Sequence, residues 1–427
     1  MSHRRKTPDT LQLTPGPSGI HPDVRGAVAR QTLNHTHPDF LEECHQVQQL
    51  LRVLMGTENK HTGALTCSGT GGNEAGVMNF VHPGDRALYV NSGFFSGRIG
   101  DMISRRYPKE IIEMNTEFGQ TVDPNRFEET IARYGEAGIS AAFVAQIETS
   151  AGTEIPRADL VRLGTIATRY RVMLCVDAVC ALGGAPVCAD AWQAAYVSAC
   201  SQKGVNAPPG TAPFTVSPLA MERIQERRRQ GCPPGSLYLD LESNMRYWNE
   251  GIYHATPGVQ NIYALGKALQ MTMDRANGNL PHMFNQHAIN QRALEAGLEE
   301  IGFTNPVEPA KRASVVSVIE TPEGTDARAI RQKLLGVKEV RGRQIGGVEF
   351  AAGKRDPARE MRVALLGLWS NKETVLDACD AMGQVTGTHD RAVQAAAGYF
   401  ADHQQPDSGD MRMRDKGMEP DGAASGI

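Results

Sequence analysis

The sequence of 427 residues has no apolar run long enough to cross a membrane, no Cys-x-x-Cys pair and no strong excess of charge of one sign. A membrane helix needs about 20 consecutive apolar residues, so no span is predicted. A net charge of −4 provides no basic surface for nucleic acid or anionic lipid. The basic N-terminus is followed by polar residues rather than an apolar core, which argues against a secretory signal. We therefore expect a soluble globular protein without nucleic-acid or membrane partners.

Cysteine is scattered, and no spacing suggests a disulfide framework or a metal cluster. The eight residues are Cys44, Cys67, Cys175, Cys180, Cys188, Cys200, Cys232 and Cys379. This usage predicts a reduced, cytoplasmic protein. The nearest approach to a metal pair is His35 and His37, and we predict no metal site because no set of further ligands accompanies them.

Short apolar runs alternate with amphipathic helices through the first half of the chain. A helix is predicted over residues 39–56 and another from near Asn73. Residues 64–67 form a short apolar piece, and strands are predicted after it at residues 86–90, 110–114, 141–146, 172–176, 196–198 and 212–216. This alternation indicates an α/β fold with a mostly parallel sheet between helices. Functional sites of such sheets lie at the carboxyl ends of the strands.

A second α/β unit follows a long helical stretch that Gly and Asn residues interrupt at 277–280. Its predicted strands cover residues 313–319 and 361–365, with helices beginning at Ala327 and Asn371. We divide the chain into an N-terminal arm (1–20), a large domain (21–282) and a small C-terminal domain (283–400). The polar residues 401–427 are expected to be a disordered tail.

Lys203 and Asp177 together indicate a specific chemistry. Lys203 lies in a turn rich in Gly and Pro, where a desolvated lysine can act as a Schiff-base nucleophile toward an aldehyde. Asp177 closes an apolar strand, where a carboxylate can keep a pyridinium nitrogen protonated. Pyridoxal 5′-phosphate (PLP) requires both groups, because its ring withdraws electrons only while that nitrogen carries its proton.

The segment Ser201-Gln202-Lys203, followed by Asn206-Ala207-Pro208-Pro209-Gly210, resembles the cofactor-lysine segment of the class V aminotransferases. The similarity runs from about residue 13 to about residue 382 and is greatest to the alanine–glyoxylate and serine–glyoxylate group. It implies PLP fold type I, with a mostly parallel seven-stranded sheet in the large domain and a smaller C-terminal α/β domain. It also implies a PLP-dependent transferase.

The cofactor phosphate requires hydrogen-bond donors on a tight backbone. The run Ser68-Gly69-Thr70-Gly71-Gly72 precedes a predicted helix and can face an anion, although such runs also serve as plain helix caps. It has no Gly-Lys-Ser/Thr ending, which argues against a nucleotide P-loop. The resemblance assigns Ser68, Gly69 and Thr70 to the phosphate, with a further amide donor from Gln202.

The resemblance also supplies partners for the cofactor ring and for a second subunit. It selects Phe95 as the stacking aromatic, the alternative being a plain core residue, and Thr149 as the hydroxyl beside the phenolic oxygen of the ring. Tyr253 and Thr256 match a loop that reaches the phosphate of the neighbouring subunit. A homodimer with shared active sites is therefore expected.

For the substrate, the resemblance selects Arg362, whose guanidinium fork suits an α-carboxylate. The backbone at Pro15 and Gly16 would close the other side of that pocket. The stretch 348–360 is longer and more charged than in close relatives, and it either covers or extends the pocket or forms a solvated loop. Its basic residues could meet a larger anionic substrate.

The leading functional prediction is aminotransfer between a small amino acid and a 2-oxo acid such as glyoxylate or pyruvate. The alternative is a specialised biosynthetic enzyme of the same scaffold that performs β- or γ-elimination, substitution or carbon–carbon bond formation on an amino acid such as S-adenosylmethionine. Cysteine desulfurase chemistry is disfavoured because Cys379 falls in a predicted helix. A non-enzymatic regulator would lack the lysine or carry a DNA-binding segment, and neither feature is present.

Overall fold

The computed structural model describes residues 10–403. Residues 1–9 of the predicted arm and residues 404–427 of the predicted tail lie outside this range, so the expected disorder of the tail stays a prediction there. The final helix ends at Asp402, so the first residues assigned to the tail are helical instead. No helix in the described range combines the length and the hydropathy required to cross a bilayer.

The helices of the described range carry the labels used below. They are α1 (Pro22–Val28), α2 (Pro38–Met55), α3 (Gly69–Phe80), α4 (Phe94–Ser104), α5 (Pro124–Ala132), α6 (Arg157–Arg169), α7 (Pro218–Arg229), α8 (Leu241–Glu250), α9 (Val259–Ala276), α10 (Leu280–Glu300), α11 (Ala327–Gly336), α12 (Lys372–Thr386) and α13 (Arg391–Asp402). Two short 3-10 helices cover Pro309–Lys311 and Gly367–Trp369.

The strands are labelled in the same way. They are β1 (Leu11–Gln12), β2 (His61–Leu65), β3 (Arg86–Asn91), β4 (Glu110–Asn115), β5 (Ala141–Ala145), β6 (Ile147–Glu148), β7 (Thr153–Glu154), β8 (Met173–Asp177), β9 (Tyr196–Ser198), β10 (Ala212–Val216), β11 (Val316–Glu320), β12 (Glu339–Val340), β13 (Arg343–Gln344), β14 (Val348–Glu349), β15 (Ala351–Ala352) and β16 (Glu360–Ala364).

The central sheet has seven strands in the order β2-β10-β9-β8-β5-β3-β4. Its pairs are parallel except that β10 runs antiparallel to both neighbours. Helices cross between the parallel strands, and the buried strands read as continuous apolar runs because helices cover both faces. The predicted α/β fold with a mostly parallel seven-stranded sheet is confirmed. The carboxyl ends of β3, β5, β8 and β9 meet at one edge, where the candidate site lies.

The predicted elements correspond closely to the observed ones. Strands β9 and β10 have the predicted bounds, and α9 and α10 separate at the Gly/Asn interruption. Helix α3 begins at Gly69, four residues before the predicted start near Asn73. Its first turn contains three glycines, which have low helix propensity. Glycine is nevertheless required at the helix start, because a Cβ at position 69 would lie 2.9 Å from Val179 Cγ2.

The C-terminal unit contains an antiparallel sheet in the order β11-β16-β15, with α11 to α13 packed beside it. Residues 10–403 contain two clusters of buried apolar side chains, one around the central sheet and one in this unit. Helix α10 contributes Met283 and Phe284 to the first cluster and Leu294 and Leu298 to the second. The predicted domain boundary at 282/283 falls within this helix, and the domain limits stay a prediction.

The described part of the arm is incorporated into the C-terminal unit. Strand β1 pairs in parallel with β14, and the carbonyl of Leu13 accepts a 2.9 Å hydrogen bond from the backbone N–H of Ala364. Leu11 and Leu13 are buried in the second apolar cluster. The chain then turns toward the central sheet, so that Pro15 and Gly16 reach the site.

Candidate active site

A cavity of about 310 Å³ opens at the carboxyl edge of the central sheet. It is bounded by loops after several strands, by the arm and by the C-terminal unit. Its lining includes ten residues that were predicted from sequence: Pro15, Gly16, Gly69, Thr70, Phe95, Thr149, Asp177, Gln202, Lys203 and Arg362. The fold thus brings together in one cavity residues that are up to about 350 positions apart in the chain.

Lys203 extends from the loop between β9 and β10 toward the arm. Its Nζ donates a hydrogen bond to the carbonyl of Pro15. Gly16 has a φ of +106°, and a Cβ there would lie 3.2 Å from Lys203 Cγ. Glycine at this position therefore lets the arm pass directly against the lysine side chain.

Asp177 is the only acidic residue in the described lining. Its Oδ1 accepts a 2.8 Å bond from the N–H of Val179, and its Oδ2 accepts a 2.7 Å bond from Asn73 Nδ2. Burial raises the pKa of Asp177 to about 6, the two hydrogen bonds oppose that rise, and the negative charge of Glu148 adds to it. A positively charged nitrogen placed beside this carboxylate would relieve the cost of its burial.

Asn73 also lines the cavity and was not among the predicted residues. Its Oδ1 accepts a hydrogen bond from Ser198 Oγ, which fixes the amide with its Nδ2 toward Asp177. The sequence contained a usable signal. Asn73 follows Gly69 by four positions and Thr70 by three, so all three lie on the same face once the helix begins at Gly69.

The N-terminus of α3 provides a place for an anion. The backbone N–H groups of Gly69 and Thr70 precede the first intrahelical bond, and no side chain within residues 10–403 caps them. The first turn contains no acidic residue, so the positive end of the helix dipole is not neutralised locally. The amide of Gln202 lines the same cavity, and its buried Oε1 has no hydrogen-bond partner among the described residues.

Phe95 lies in the first turn of α4, which a buried carboxylate holds in place. Glu148 accepts hydrogen bonds from the backbone N–H of Ser96 at 2.8 Å and of Phe95 at 3.4 Å. The same carboxylate accepts bonds from the N–H and the hydroxyl of Ser150. Glu148 thus acts as a cap supplied by another segment, a role that sequence analysis missed. Thr149 lies between Glu148 and Ser150 in the chain, and it lines the cavity.

Arg362 lies on β16 and is 7% exposed. Its Nε donates a 2.9 Å bond to the carbonyl of Ala352 on β15, and its Cζ lies 5.9 Å from the centre of the Phe95 ring. Burial lowers its pKa. No described residue forms a salt bridge with Arg362, although its guanidinium faces the cavity, so a carboxylate ligand would supply the missing counter-charge.

The stretch 348–360 contributes to the site through its backbone more than through its charges. It forms β14 and β15, and Ala351 lines the cavity. Lys354 lies over the Phe94 ring, while Arg355 pairs with Glu320 and Glu360 and lies over Phe118. Neither Lys354, Arg355 nor Arg359 lines the cavity. The stretch therefore contributes Ala351 to the pocket wall, while its three basic residues lie outside the lining. Their role toward a larger anionic substrate stays a prediction.

Three predicted residues do not line this cavity. Ser68 is the N-cap of α3, and its exposed hydroxyl forms no capping bond. Tyr253 is 59% exposed, and its hydroxyl lies 3.5 Å from Thr256 Oγ1. The pair Tyr253 and Thr256 therefore faces outward from this subunit, and the roles of all three residues stay predictions.

Comparisons with known proteins agree on the class of enzyme. The family model for aminotransferase class V matches residues 20–336. The chain is 29% identical to the alanine–glyoxylate aminotransferase of Felis catus over 373 residues, 86% of this chain and 85% of that protein. A solved alanine–glyoxylate aminotransferase from a Nostoc species aligns with a TM-score of 0.81 at 31% identity, over 90% of this chain and 97% of that one. A ureidoglycine–glyoxylate aminotransferase from Bacillus subtilis aligns with a TM-score of 0.84 at 25% identity, over 93% and 100%.

These matches define a transferase of PLP fold type I. The chain belongs to the class V aminotransferases, and it is a PLP-dependent aminotransferase. The predicted family, cofactor and enzyme class are confirmed. The cavity fits this cofactor, because an uncapped helix N-terminus suits a phosphate and a buried carboxylate suits a protonated ring nitrogen.

Proposed function

We propose that this enzyme transfers the amino group of a small amino acid to glyoxylate, or to a similarly small 2-oxo acid such as pyruvate. The observation that carries the proposal is the convergence of Lys203, Asp177 and Arg362 on one cavity. Glyoxylate is supported by the relatives, since both solved relatives named above are glyoxylate aminotransferases.

Pyridoxal phosphate, when bound, supplies an electron sink for the electron pair released at the substrate α-carbon. Lys203 would hold the cofactor aldehyde through its amine, and the same amine, when free, would take the α-proton as a general base. Asp177 would keep the ring nitrogen protonated, with Asn73 aiming the carboxylate. The N–H groups at the start of α3, with Gln202, would hold the phosphate.

Arg362 binds the α-carboxylate of the amino donor and then that of the 2-oxo acid. Its bond to the carbonyl of Ala352 uses Nε, which leaves the two terminal nitrogens for a carboxylate. Phe95 lies close to the guanidinium, so the clamp and the stacking surface for the ring are adjacent. A substrate held by this arginine would lie in the cavity that Lys203 also lines.

The experiment is a panel of single amino acids mixed with the purified cofactor-loaded protein in the absence of any 2-oxo acid. A true donor converts the bound cofactor to its amine form and yields one equivalent of 2-oxo acid. Adding glyoxylate should then restore the original spectrum and release glycine. Release of a leaving group or of ammonia, without formation of the amine form of the cofactor, would instead indicate elimination chemistry.

We further propose a homodimer in which Tyr253 and Thr256 reach the phosphate site of the partner subunit. Both residues face outward, and neighbouring large apolar side chains are exposed, with Leu237 81% and Ile252 40% exposed. Exposed apolar surface of this kind is typical of a subunit interface. We also propose a cytoplasmic location, which is supported by the state of the eight cysteines, all of which are free thiols.

A further inference from the structure

A junction of three separate segments lies behind Lys203, and Asn206 is at its centre. Asn206 is 1% exposed and has a φ of +58°, a left-handed conformation that asparagine tolerates better than most residues. Its side chain makes contacts outside its own loop, and no part of the function described above accounts for them.

The first connection runs from Asn206 to the lysine through the arm. Asn206 Nδ2 donates a 2.9 Å bond to Ser18 Oγ, and Ser18 Oγ donates a 2.7 Å bond to the carbonyl of Lys203. The same carbonyl accepts a 3.0 Å bond from the backbone N–H of Asn206. The peptide that follows Lys203 is thus held from two sides, and the two side-chain bonds polarise one another because they share a hydroxyl.

The second connection runs from Asn206 to the segment that follows β16. Asn206 Oδ1 accepts a 2.7 Å bond from the N–H of Leu368, and Nδ2 donates a 3.2 Å bond to the carbonyl of Leu366. Between them, Gly367 has a φ of +56°, and a Cβ there would overlap Asn206 Oδ1 and the carbonyl of Gly204. This close approach requires glycine at position 367.

The 366–370 segment is itself immobilised. Arg275 donates to the carbonyls of Gly367 and Ser370, the latter at 2.7 Å, and Trp369 Nε1 donates a 2.9 Å bond to the carbonyl of Gly19. The segment begins two residues after the end of β16, the strand that carries Arg362. A displacement of this segment would therefore shift the carboxylate clamp relative to the lysine.

We propose that Asn206 is a positioning residue that, with Ser18, sets the place of the Lys203 amine relative to the Arg362 guanidinium. The inference rests on the proposed roles of Lys203 and Arg362. The Asn206 side chain contacts one segment on the lysine side and one on the arginine side, so a single amide sets the spacing of two groups that must act on one substrate. Neither Asn206 nor Ser18 touches substrate in this arrangement.

The test compares Ser18→Ala and Asn206→Gly. Each variant removes side-chain hydrogen bonds of the junction between the arm, the lysine loop and the 366–370 segment, and neither strains the backbone. Glycine accepts the left-handed conformation at position 206. The matched control is Asn305→Ala, because Asn305 is a buried amide that donates a 3.0 Å bond to Glu295 Oε1 and accepts a 3.0 Å bond from the N–H of Val307, and neither partner belongs to the lysine loop or to the 366–370 segment. Ser18→Ala keeps the backbone bond from Ser18 to Gln202, so it carries the test alone if Asn206→Gly fails to fold.

The first readout needs no catalysis. Cofactor-free protein is labelled with trace acetic anhydride, and mass spectrometry gives the acylation rate of Lys203 relative to that of Lys267 in the same molecule. Both test variants should change this ratio at least about twofold, because the amine is no longer held at Pro15, whereas Asn305→Ala should keep the wild-type ratio. This readout remains valid even if the proposed substrates are wrong.

The second readout uses the cofactor-loaded enzyme. Both test variants should lower kcat by about 10- to 100-fold with a smaller change in KM, because misplacement of a reacting group by about 1 Å costs up to 100-fold. The pH midpoint of the cofactor absorbance should also shift in both. The double variant should lose no more activity than the worse single variant, because both single variants already break the same Asn206–Ser18 connection. Labelling ratios and kcat values equal to those of Asn305→Ala would overturn the proposal.

Discussion

Asn73 donates an amide hydrogen bond of 2.7 Å to Asp177, and that amide is oriented in turn by Ser198. The carboxylate is therefore aimed before any ligand arrives, although burial raises its pKa to about 6. Such a group is costly in the cofactor-free protein and is stabilised by a cation in the loaded one. Functional sites often carry this kind of local instability.

Asp177→Asn tests the cost of burying this carboxylate, measured as the free energy of unfolding of the cofactor-free protein. Because the folded pKa lies above the ordinary value of 3.8, the folded protein binds the proton more tightly than the unfolded chain, and stability falls as pH rises from 3.8 to about 6. Relative to wild type, the variant without cofactor should therefore gain stability between pH 3.8 and about 6, by at most about 3 kcal/mol, on top of a pH-independent loss, because an amide has one acceptor oxygen for the two N–H donors at this site. Thermal unfolding at several pH values measures this difference.

Bound cofactor should favour the wild-type protein over the Asp177→Asn variant. Added PLP should raise the unfolding temperature of wild type more than that of Asp177→Asn, because an amide cannot pair with a positively charged ring nitrogen. The variant should still bind PLP while losing most turnover. Equal stabilisation by PLP and near-normal turnover would mean that Asp177 only terminates its strand.

Lys203→Ala should give a folded protein that cannot be joined covalently to the cofactor. Borohydride reduction of wild type with PLP should fix the cofactor to the tryptic peptide that contains Lys203, and the variant should give no labelled peptide. Thermal unfolding without cofactor is the control for folding. A second lysine that becomes labelled in both proteins would show that another amine anchors the aldehyde.

Subunit mixing tests the shared site. Lys203→Ala and the double variant Tyr253→Phe, Thr256→Val should each be inactive or nearly so. Hybrid dimers would carry one site with both parts intact, so an equal mixture after exchange should recover about one quarter of wild-type activity. Labelled subunits would confirm that exchange occurred, and exchange without recovery would contradict a shared site.

Arg362→Ala should lower kcat/KM by roughly 30- to 1,000-fold, corresponding to about 2–4 kcal/mol, while leaving PLP affinity unchanged. Arg362→Lys should recover only part of this loss, because an ammonium cannot form the two-point contact. Arg355→Ala is the matched control, since Arg355 pairs with Glu320 and Glu360 away from the cavity. A larger effect at Arg355 than at Arg362 would move the carboxylate site to the 348–360 stretch.

Local sequence was sufficient to predict the central sheet, while the resemblance to the class V aminotransferases supplied most of the ten predicted residues that line the cavity. Runs such as residues 196–198 and 212–216 are apolar because both faces of the sheet are covered, so their pattern marks strands directly. Lys203 and Asp177 were recognisable because their chemistry is combined with a turn and a strand end. The start of α3 was predicted too late, because glycine propensity disfavours a helix that the packing of Gly69 against Val179 permits.

By itself, the sequence determined the order of strands and helices, the lysine with its acidic partner, and the class of enzyme. Only the tertiary structure decided which polar groups serve those residues. Asn73 meets Asp177 across 104 positions, and Asn206 meets Ser18 across 188. Periodicity and propensity report on neighbours within a few residues, whereas such hydrogen bonds depend on how distant loops converge at the edge of the sheet. The same convergence turns Tyr253 and Thr256 outward, away from the cavity of their own chain.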